Sequence, residues 1–422
     1  MSFILLLKKC IVGFSYGISF PLTIVILDYW LKDCGVTNST IGLFSIFHLP
    51  FALKLLFAPI IDEYRIPYLS KLLGHRRSWA FVSQLALIIS VICMAQVDPT
   101  SNLGALMCLA SVTALSDGLQ NIALYPYQIS EITQNQFGYT AGMISFGHRI
   151  GTIVTKVTML YCAHFWGWKI AYECAACLIF CSMISIFFMK EPTIAEDIYN
   201  ADRKNVQAFS SPIKKIFQEI YQIIHRPDGV YVILTLLLYK ASDFTIQKMS
   251  RVFCLEIGFS KLEIANIVQI FGSVSVVLGG FLAGFFIKKR GILNSMIFFS
   301  IMHMSFLFYY VILNRLGNDP DVLCTTVFLE GLTGGAVAAA FIAFLYEECK
   351  NGSQYALLWA IHELGGMIFR LTSGFLADIC DWAEFFMITP WLSAPGILIL
   401  KRLSYLREKK RRNKKKKKTT IF

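Results

Sequence analysis

Charge is scarce in this chain, and acidic charge is scarcer than basic. Only 16% of its 422 residues are Asp, Glu, Lys or Arg, against 56% apolar, whereas soluble domains carry about 25% charged residues. That shortage excludes a string of soluble domains and leaves the bilayer as the solvent. Sustained period-two alternation is also missing, which excludes a closed barrel of membrane strands. No Gly-x4-Gly-Lys-Ser/Thr loop occurs, so ATP hydrolysis is not expected to drive the protein. Nor is there a nucleophile elbow at a strand-to-helix turn or a paired-carboxylate signature; His362-Glu363 lacks the second histidine that a zinc helix needs. The chain is not expected to be an enzyme or to hold a cofactor. Twelve cysteines are scattered without a disulfide framework, and Cys174, Cys177 and Cys181 sit in one apolar run with no fourth metal ligand.

What is abundant is apolar sequence in runs of roughly 20 residues, the length that crosses a hydrocarbon core as helix. Runs near 11–30, 40–61, 79–97, 102–124, 140–163, 168–189, 229–250, 262–287, 292–313, 321–346, 353–377 and 385–400 predict an all-α membrane protein of twelve transmembrane helices. The first seven residues are apolar but are followed at once by Lys8 and Lys9, without a small-residue cleavage site, so the first span is expected to stay as a signal-anchor.

Basic residues orient these spans. Arg65, Lys71, Arg76 and Arg77 follow the second span, Lys288, Lys289 and Arg290 the eighth, and Lys190, Arg203, Lys204, Lys214, Lys215 and Arg226 the sixth. The opposite connections carry few cations, so both termini are expected in the cytoplasm. The net charge of +12 is concentrated in Lys401–Lys418 directly after the last span, which points to anionic membrane lipid and not to nucleic acid. The domains expected are a six-helix half over 1–190, a linker over 191–228, a second six-helix half over 229–400 and a basic tail over 401–422. Within the linker Ile213, Ile216, Phe217, Ile220 and Ile224 recur at helical spacing and predict an interfacial amphipathic helix. The basic turns after spans two and eight occupy corresponding places. Parallel six-helix repeats of this kind resemble the major facilitator fold, with a substrate site between the halves.

More specific stretches follow in order: Thr40-Ile-Gly-Leu-Phe44, Leu49-Pro50 with Lys54 and Ala58-Pro59, and Gly147-His-Arg-Ile-Gly151. In the second half come Leu238-Tyr-Lys-Ala-Ser-Asp243, Gly258-Phe-Ser-Lys261, Glu263-Ile-Ala265, Glu330-Gly-Leu-Thr-Gly-Gly335 and Gln354-Tyr-Ala-Leu-Leu358. As an ordered set they resemble the AmpG muropeptide permease branch, relatives of the acetyl-coenzyme A transporters. The resemblance implies a monomeric, proton-driven permease of the bacterial inner membrane that imports anhydro-muropeptides. In the fourth span the family usually carries Gln-Asp, another Asp four residues on and a basic residue beyond. Here those places read Gln120-Asn121, Tyr125 and Gln128. Another anionic cargo, phosphorylated or nucleotide-linked, or a non-transporting receptor are the alternatives.

An ionisable side chain in a membrane span costs at least about 2.5–3.5 kcal/mol, so each demands a partner or a wet cavity. Lys54, Arg149 and Lys156, set against Asp117, predict a cationic cavity for substrate carboxylates, with Gln120, Asn121 and Tyr125 along one stripe. In the second half Tyr239, Lys240 and Gln354 are further candidates for substrate contact. Lys240 and Asp243 are spaced to pair, and Glu363 and Arg370 share a face at i, i+7 with His362 beside them. Asp243, Asp117 and Glu330 are the candidates for proton coupling.

Overall fold

The computed structural model describes residues 3–49, 57, 60–61, 64–129, 137–187, 221, 223, 225–349 and 352–419; among these the structure is helical, with no strand. Two compact units emerge: Met1–Pro212 with Cys254–Ile270, and Ile213–Phe253 with Phe271–Phe422. The first contains α1 (Leu6–Asp33), α2 (Asn38–Phe47), α3 (His75–Gln96), α4 (Leu103–Ile129), α5 (Phe137–Phe165) and α6 (Trp168–Phe187). The second is built on α7 (Gly229–Glu256), α8 (Lys261–Arg290), α9 (Ile292–Leu316), α10 (Pro320–Glu348), α11 (Gly352–Ile379) and α12 (Trp382–Lys409). The end of α7 and the start of α8 fall within Cys254–Ile270 and so belong to the first unit.

Nine of these helices are long and apolar enough to cross a membrane. The helices α5 and α11 have comparable length, 29 and 28 residues, but are interrupted by Arg149 and Lys156 and by Glu363 and Arg370. Much of the second predicted span and most of the amphipathic linker segment lie outside the described residues. On α8, Val274, Leu278, Phe281 and Phe285 recur at helical spacing and are all exposed, Phe281 by 76%. An apolar ridge of that kind on a spanning helix is a surface for lipid tails.

Local chemistry sets the helix ends. Ser260 and Glu263 form a reciprocal capping box at the start of α8. Asp319 caps α10 with Pro320 in its first turn, and Asp381 accepts from the Glu384 N–H at the start of α12. Gly74 before α3 has φ 94° and Gly291 before α9 has φ 77°, a region that L side chains avoid. Each glycine carbonyl accepts a serine hydroxyl four residues on, from Ser78 at 2.6 Å and from Ser295 at 2.7 Å. The same turn is thus built twice, after the second and the eighth predicted spans.

Membrane helices gain little from burying apolar surface in one another, so close backbone packing has to hold them together. Gly13 and Gly17 of α1 interleave with Gly147 and Gly151 of α5, each lying so close that a methyl group there would overlap the partner's backbone. Gly279 on α8 and Gly335 on α10 make an equivalent seam, and Gly365 and Gly366 of α11 abut Leu237 and Phe244 of α7. Gly13-Phe-Ser-Tyr-Gly17 has the spacing of a nucleophile elbow, but it lies within α1, and Ser15 donates to the Ile11 carbonyl at 3.0 Å.

At one end of the second unit Arg407 of α12 binds Asp228 at 3.0 Å and Glu348 at 2.5 Å, with Arg226 also 3.8 Å from Glu348. The Glu348 side chain is only 5% exposed, so losing its main partner leaves a nearly buried carboxylate without full compensation. Arg407→Met is expected to cost about 1–3 kcal/mol, below the fully buried range because Arg407 itself is partly solvated. The check is the unfolding midpoint of the purified protein; Glu348→Gln in the same chain should recover part of the loss.

Candidate functional site

The site grows out of a break in α7. Helical geometry runs over Gly229–Leu238 and resumes at Ala241–Glu256, leaving Tyr239 and Lys240 in a turn between them. Asp243 falls in the first turn of the resumed segment. The interruption is local, for Tyr239 still donates its N–H to the Thr235 carbonyl at 3.0 Å and Phe244 to that of Lys240 at 3.0 Å, and backbone freed within a membrane has to be satisfied by protein or a cavity. Here Ser393 receives the Ser242 N–H at 3.0 Å and shares a 2.6 Å hydrogen bond with the Ser242 hydroxyl.

Asp243 is 3% exposed, and its burial is tolerated because three side chains converge on it. Lys240 Nζ lies 2.6 Å from Oδ2, Gln247 Nε2 donates to Oδ1 at 2.8 Å, and His303 Nε2 stands 3.6 Å from Oδ1. His303, in the middle of α9, directs Nδ1 to the Thr333 hydroxyl at 2.8 Å. One turn away on α10, Glu330 accepts the Tyr310 hydroxyl at 2.5 Å and lies in electrostatic reach of His303, Asp243 and Arg251. Phe244 presents its ring to Lys240 Nζ at 5.4 Å and to the Arg370 guanidinium at 4.3 Å; Arg370 in turn pairs with Glu363 at 3.3 Å. The second unit therefore gathers two predicted coupling carboxylates, Asp243 and Glu330, with the expected Lys240–Asp243 pair, and it joins Glu363 and Arg370, which the sequence places on one helix face, as a second pair.

Other predicted residues lie elsewhere. Tyr239 is buried, stacks on Phe341 and donates to the Met296 carbonyl at 3.3 Å. Gln354 is buried at 3% exposure. His362 is packed among Phe244, Phe341 and Trp359 with Nδ1 2.8 Å from the Leu236 carbonyl oxygen.

In the first unit Asp117 accepts the Ser19 hydroxyl, and Asn121 donates to the Asp117 carbonyl at 2.8 Å and its carboxylate at 3.4 Å. Gln120 faces α1 and donates to the Ser15 carbonyl at 3.1 Å. Arg149 is exposed and Lys156 half-buried on α5. Lys54 and the Tyr125 side chain lie outside the described residues.

Sequence reasoning missed His303, Thr333, Gln247, Ser19 and the buried Lys9, whose ammonium donates to the Tyr127 carbonyl at 2.5 Å. The rule that flags intramembrane ionisable groups would have found His303, which interrupts an otherwise apolar run. Thr333 and Ser19 carry no such signal, because serine and threonine are common in membrane helices and usually bond their own backbone.

A second polar cluster closes one end of the first unit. Lys32 pairs with Glu256, Lys261 with Asp33 at 2.6 Å, and Trp168 donates from Nε1 to Asp33 at 2.7 Å. Lys261 also stands over the Trp168 ring at 5.2 Å. These residues, with His164 and Ser260, line a cavity of about 400 Å³. Each pair is partly solvated and contributes no more than about 1 kcal/mol. Together they tie the Cys254–Ile270 segment to the helix ends beside it.

The family model described as Major Facilitator Superfamily matches residues 10–315 and 255–421. The chain belongs to the Major Facilitator Superfamily. Within this superfamily of transporters, it is 28% identical over 401 residues to a Rickettsia bellii protein named "Putative transporter AmpG 1", covering 93% of this chain and 96% of that protein. A Rickettsia prowazekii protein of the same name is 27% identical over 427 residues, with the same coverages. Among solved major facilitator structures, a mutant of the nucleoside transporter NupG matches with a TM-score of 0.68 at 13% identity, covering 94% of this chain and 99% of that one. A mutant of the peptide transporter POT in complex with alafosfalin matches with a TM-score of 0.68 at 12% identity, covering 95% of each chain. These two likenesses concern the fold. The protein is a multi-pass membrane transporter.

Proposed function

We propose that this transporter is a proton-coupled importer of anhydro-muropeptides across a bacterial inner membrane, with both termini in the cytoplasm. The observation that carries this reading is Asp243, a buried carboxylate at a helix break whose partners Lys240 and His303 are themselves ionisable. A coupling carboxyl must exchange a proton between two conformations, and partners that can release it give it that freedom. Supporting the cargo are the motifs of the second half, the similarity to AmpG relatives along nearly the whole chain, and the cations Lys54, Arg149 and Lys156 suited to a substrate rich in carboxylates. The reading also takes 1–190 and 229–400 as two parallel halves. The repeated Gly–Ser turn supports this, as does the correspondence between the α1–α5 and α7–α11 glycine contacts.

A second reading keeps the proton coupling and changes the cargo to a phosphorylated or nucleotide-linked anion. What favours it is the fourth span, where Asn121 is tied to Asp117 and two family carboxylates are replaced. Uptake into proteoliposomes with and without an imposed pH gradient separates the two. Saturable accumulation of an anhydro-muropeptide, approaching but not exceeding about tenfold over the gradient-free level for a one-unit gradient coupled to one proton, is the expected result. No accumulation of it, together with gradient-driven uptake of a nucleotide-linked anion, would replace the first reading by the second.

A further inference from the structure

The hydrogen bonds around His303 restrict where its protons can sit. Thr333 has one hydroxyl proton, and that proton is committed to the backbone: its Oγ1 lies 2.7 Å from the Leu329 carbonyl oxygen, which can only accept. Toward His303 Nδ1, 2.8 Å away, the same Oγ1 must therefore act as acceptor, so Nδ1 carries a hydrogen. A neutral imidazole then presents the lone pair of Nε2. Yet Nε2 is the atom that faces Asp243 Oδ1 at 3.6 Å, and no hydrogen-bond partner for it is found among the described residues.

A lone pair facing a carboxylate oxygen in a buried site is repulsive. The contact becomes attractive when one extra proton sits between the two atoms, as an imidazolium beside a carboxylate or as a neutral imidazole beside a carboxylic acid. The groups facing this pair are Lys240 and Gln247 from α7, and Thr333 and Glu330 from α10, Glu330 being held by Tyr310. None of them can supply the missing hydrogen to Nε2 from where it stands, because Lys240 and Gln247 are directed at Asp243.

We propose that His303 Nε2 and Asp243 Oδ1 form one proton-binding site, holding a single proton in common. Loading puts one proton into the gap and draws α9 toward α7. Release returns that proton to water and leaves two acceptors face to face, which drives the pair apart. The inference rests on the proton-coupled reading above and gives the histidine, not the carboxylate alone, the task of binding the proton.

The test counts protons and needs no transported solute. Purified full-length protein in detergent is titrated between pH 5 and 9, and the protons bound per chain are compared with those of variants. Asp243→Asn and His303→Gln should each lose the same one proton, and the double variant should lose no more, since either change dismantles the shared site. Two protons lost in the double variant, or none lost in His303→Gln, would overturn the proposal. Should His303→Gln fail to fold, Thr333→Val takes its place. It frees Nδ1 from its required role and keeps both titrating groups, so the shared proton should move to a different pH; an unchanged titration would count against the site. If wild-type protein shows no gradient-driven uptake while the one-proton result holds, the functional reading falls and the proton site stands. If uptake is gradient-driven and the count fails, only the site falls.

Discussion

Asp243→Asn is expected to reduce gradient-driven uptake to the level of protein-free vesicles while leaving substrate counterflow measurable. The carboxylate is the acceptor for Lys240, Gln247 and the facing His303, and asparagine keeps the volume but cannot change its protonation. Exchange of labelled for unlabelled substrate needs the carrier to reorient loaded and does not need a net proton. Accumulation against a gradient does. The same change strands Lys240 in a nearly buried position, at a cost of about 3–5 kcal/mol when a buried pair loses one member. For that reason the variant should be compared with Lys240→Met/Asp243→Asn, in which both charges are gone and much of the stability returns. Full gradient-driven uptake by the single variant would remove Asp243 from the coupling role.

Gly147→Ala should be among the most damaging small substitutions in the protein. The added methyl would overlap the Cys10 carbonyl of α1, and the obstacle is backbone, which cannot rotate away. To make room, α1 and α5 would have to separate along a seam where Gly13, Gly17 and Gly151 depend on the same approach. Overpacking a well-packed interior costs about 1–3 kcal/mol and occasionally more; a seam with four interleaved glycines belongs at the upper end. Gly142→Ala supplies the control. It lies on the same helix with no atom near the added methyl, and alanine favours helix over glycine by about 0.5–1 kcal/mol. Tryptophan-fluorescence melts of the two variants should therefore move in opposite directions, down for Gly147→Ala and level or up for Gly142→Ala. Equal midpoints would show that the seam yields more easily than its geometry suggests.

Apolar runs gave away most of the spans because membrane insertion is decided by length and mean hydropathy, both of which are local. The i, i+3 spacing of Lys240 and Asp243 likewise announced a pair on one helix, and the structure has it at 2.6 Å. Contacts between helices were not legible in the same way. Gly13 and Gly147 are 134 positions apart, and nothing in either neighbourhood names the other. His303 is invisible to mean hydropathy, since one histidine among Phe, Met and Ile changes its run little, and only its ionisable ring marks it. The break at Tyr239–Lys240 left no sign either: neither residue is a proline or glycine, and the turn is held by Ser393, far away in the sequence. The attachment of Cys254–Ile270 to the first unit depends on Lys32, Asp33 and Trp168, so it too required the folded chain.

The paired Gly–Ser turns also bear on how such a chain is made. A hydroxyl returning to a carbonyl four residues back closes a small ring, and that ring needs no tertiary partner. Helix initiation is the slow, unfavourable step and elongation the easy one. A first turn tied down by Ser78 or Ser295 has part of that initiation supplied within its own few residues. Such a start needs no neighbouring helix, whereas the glycine seams have to wait for one.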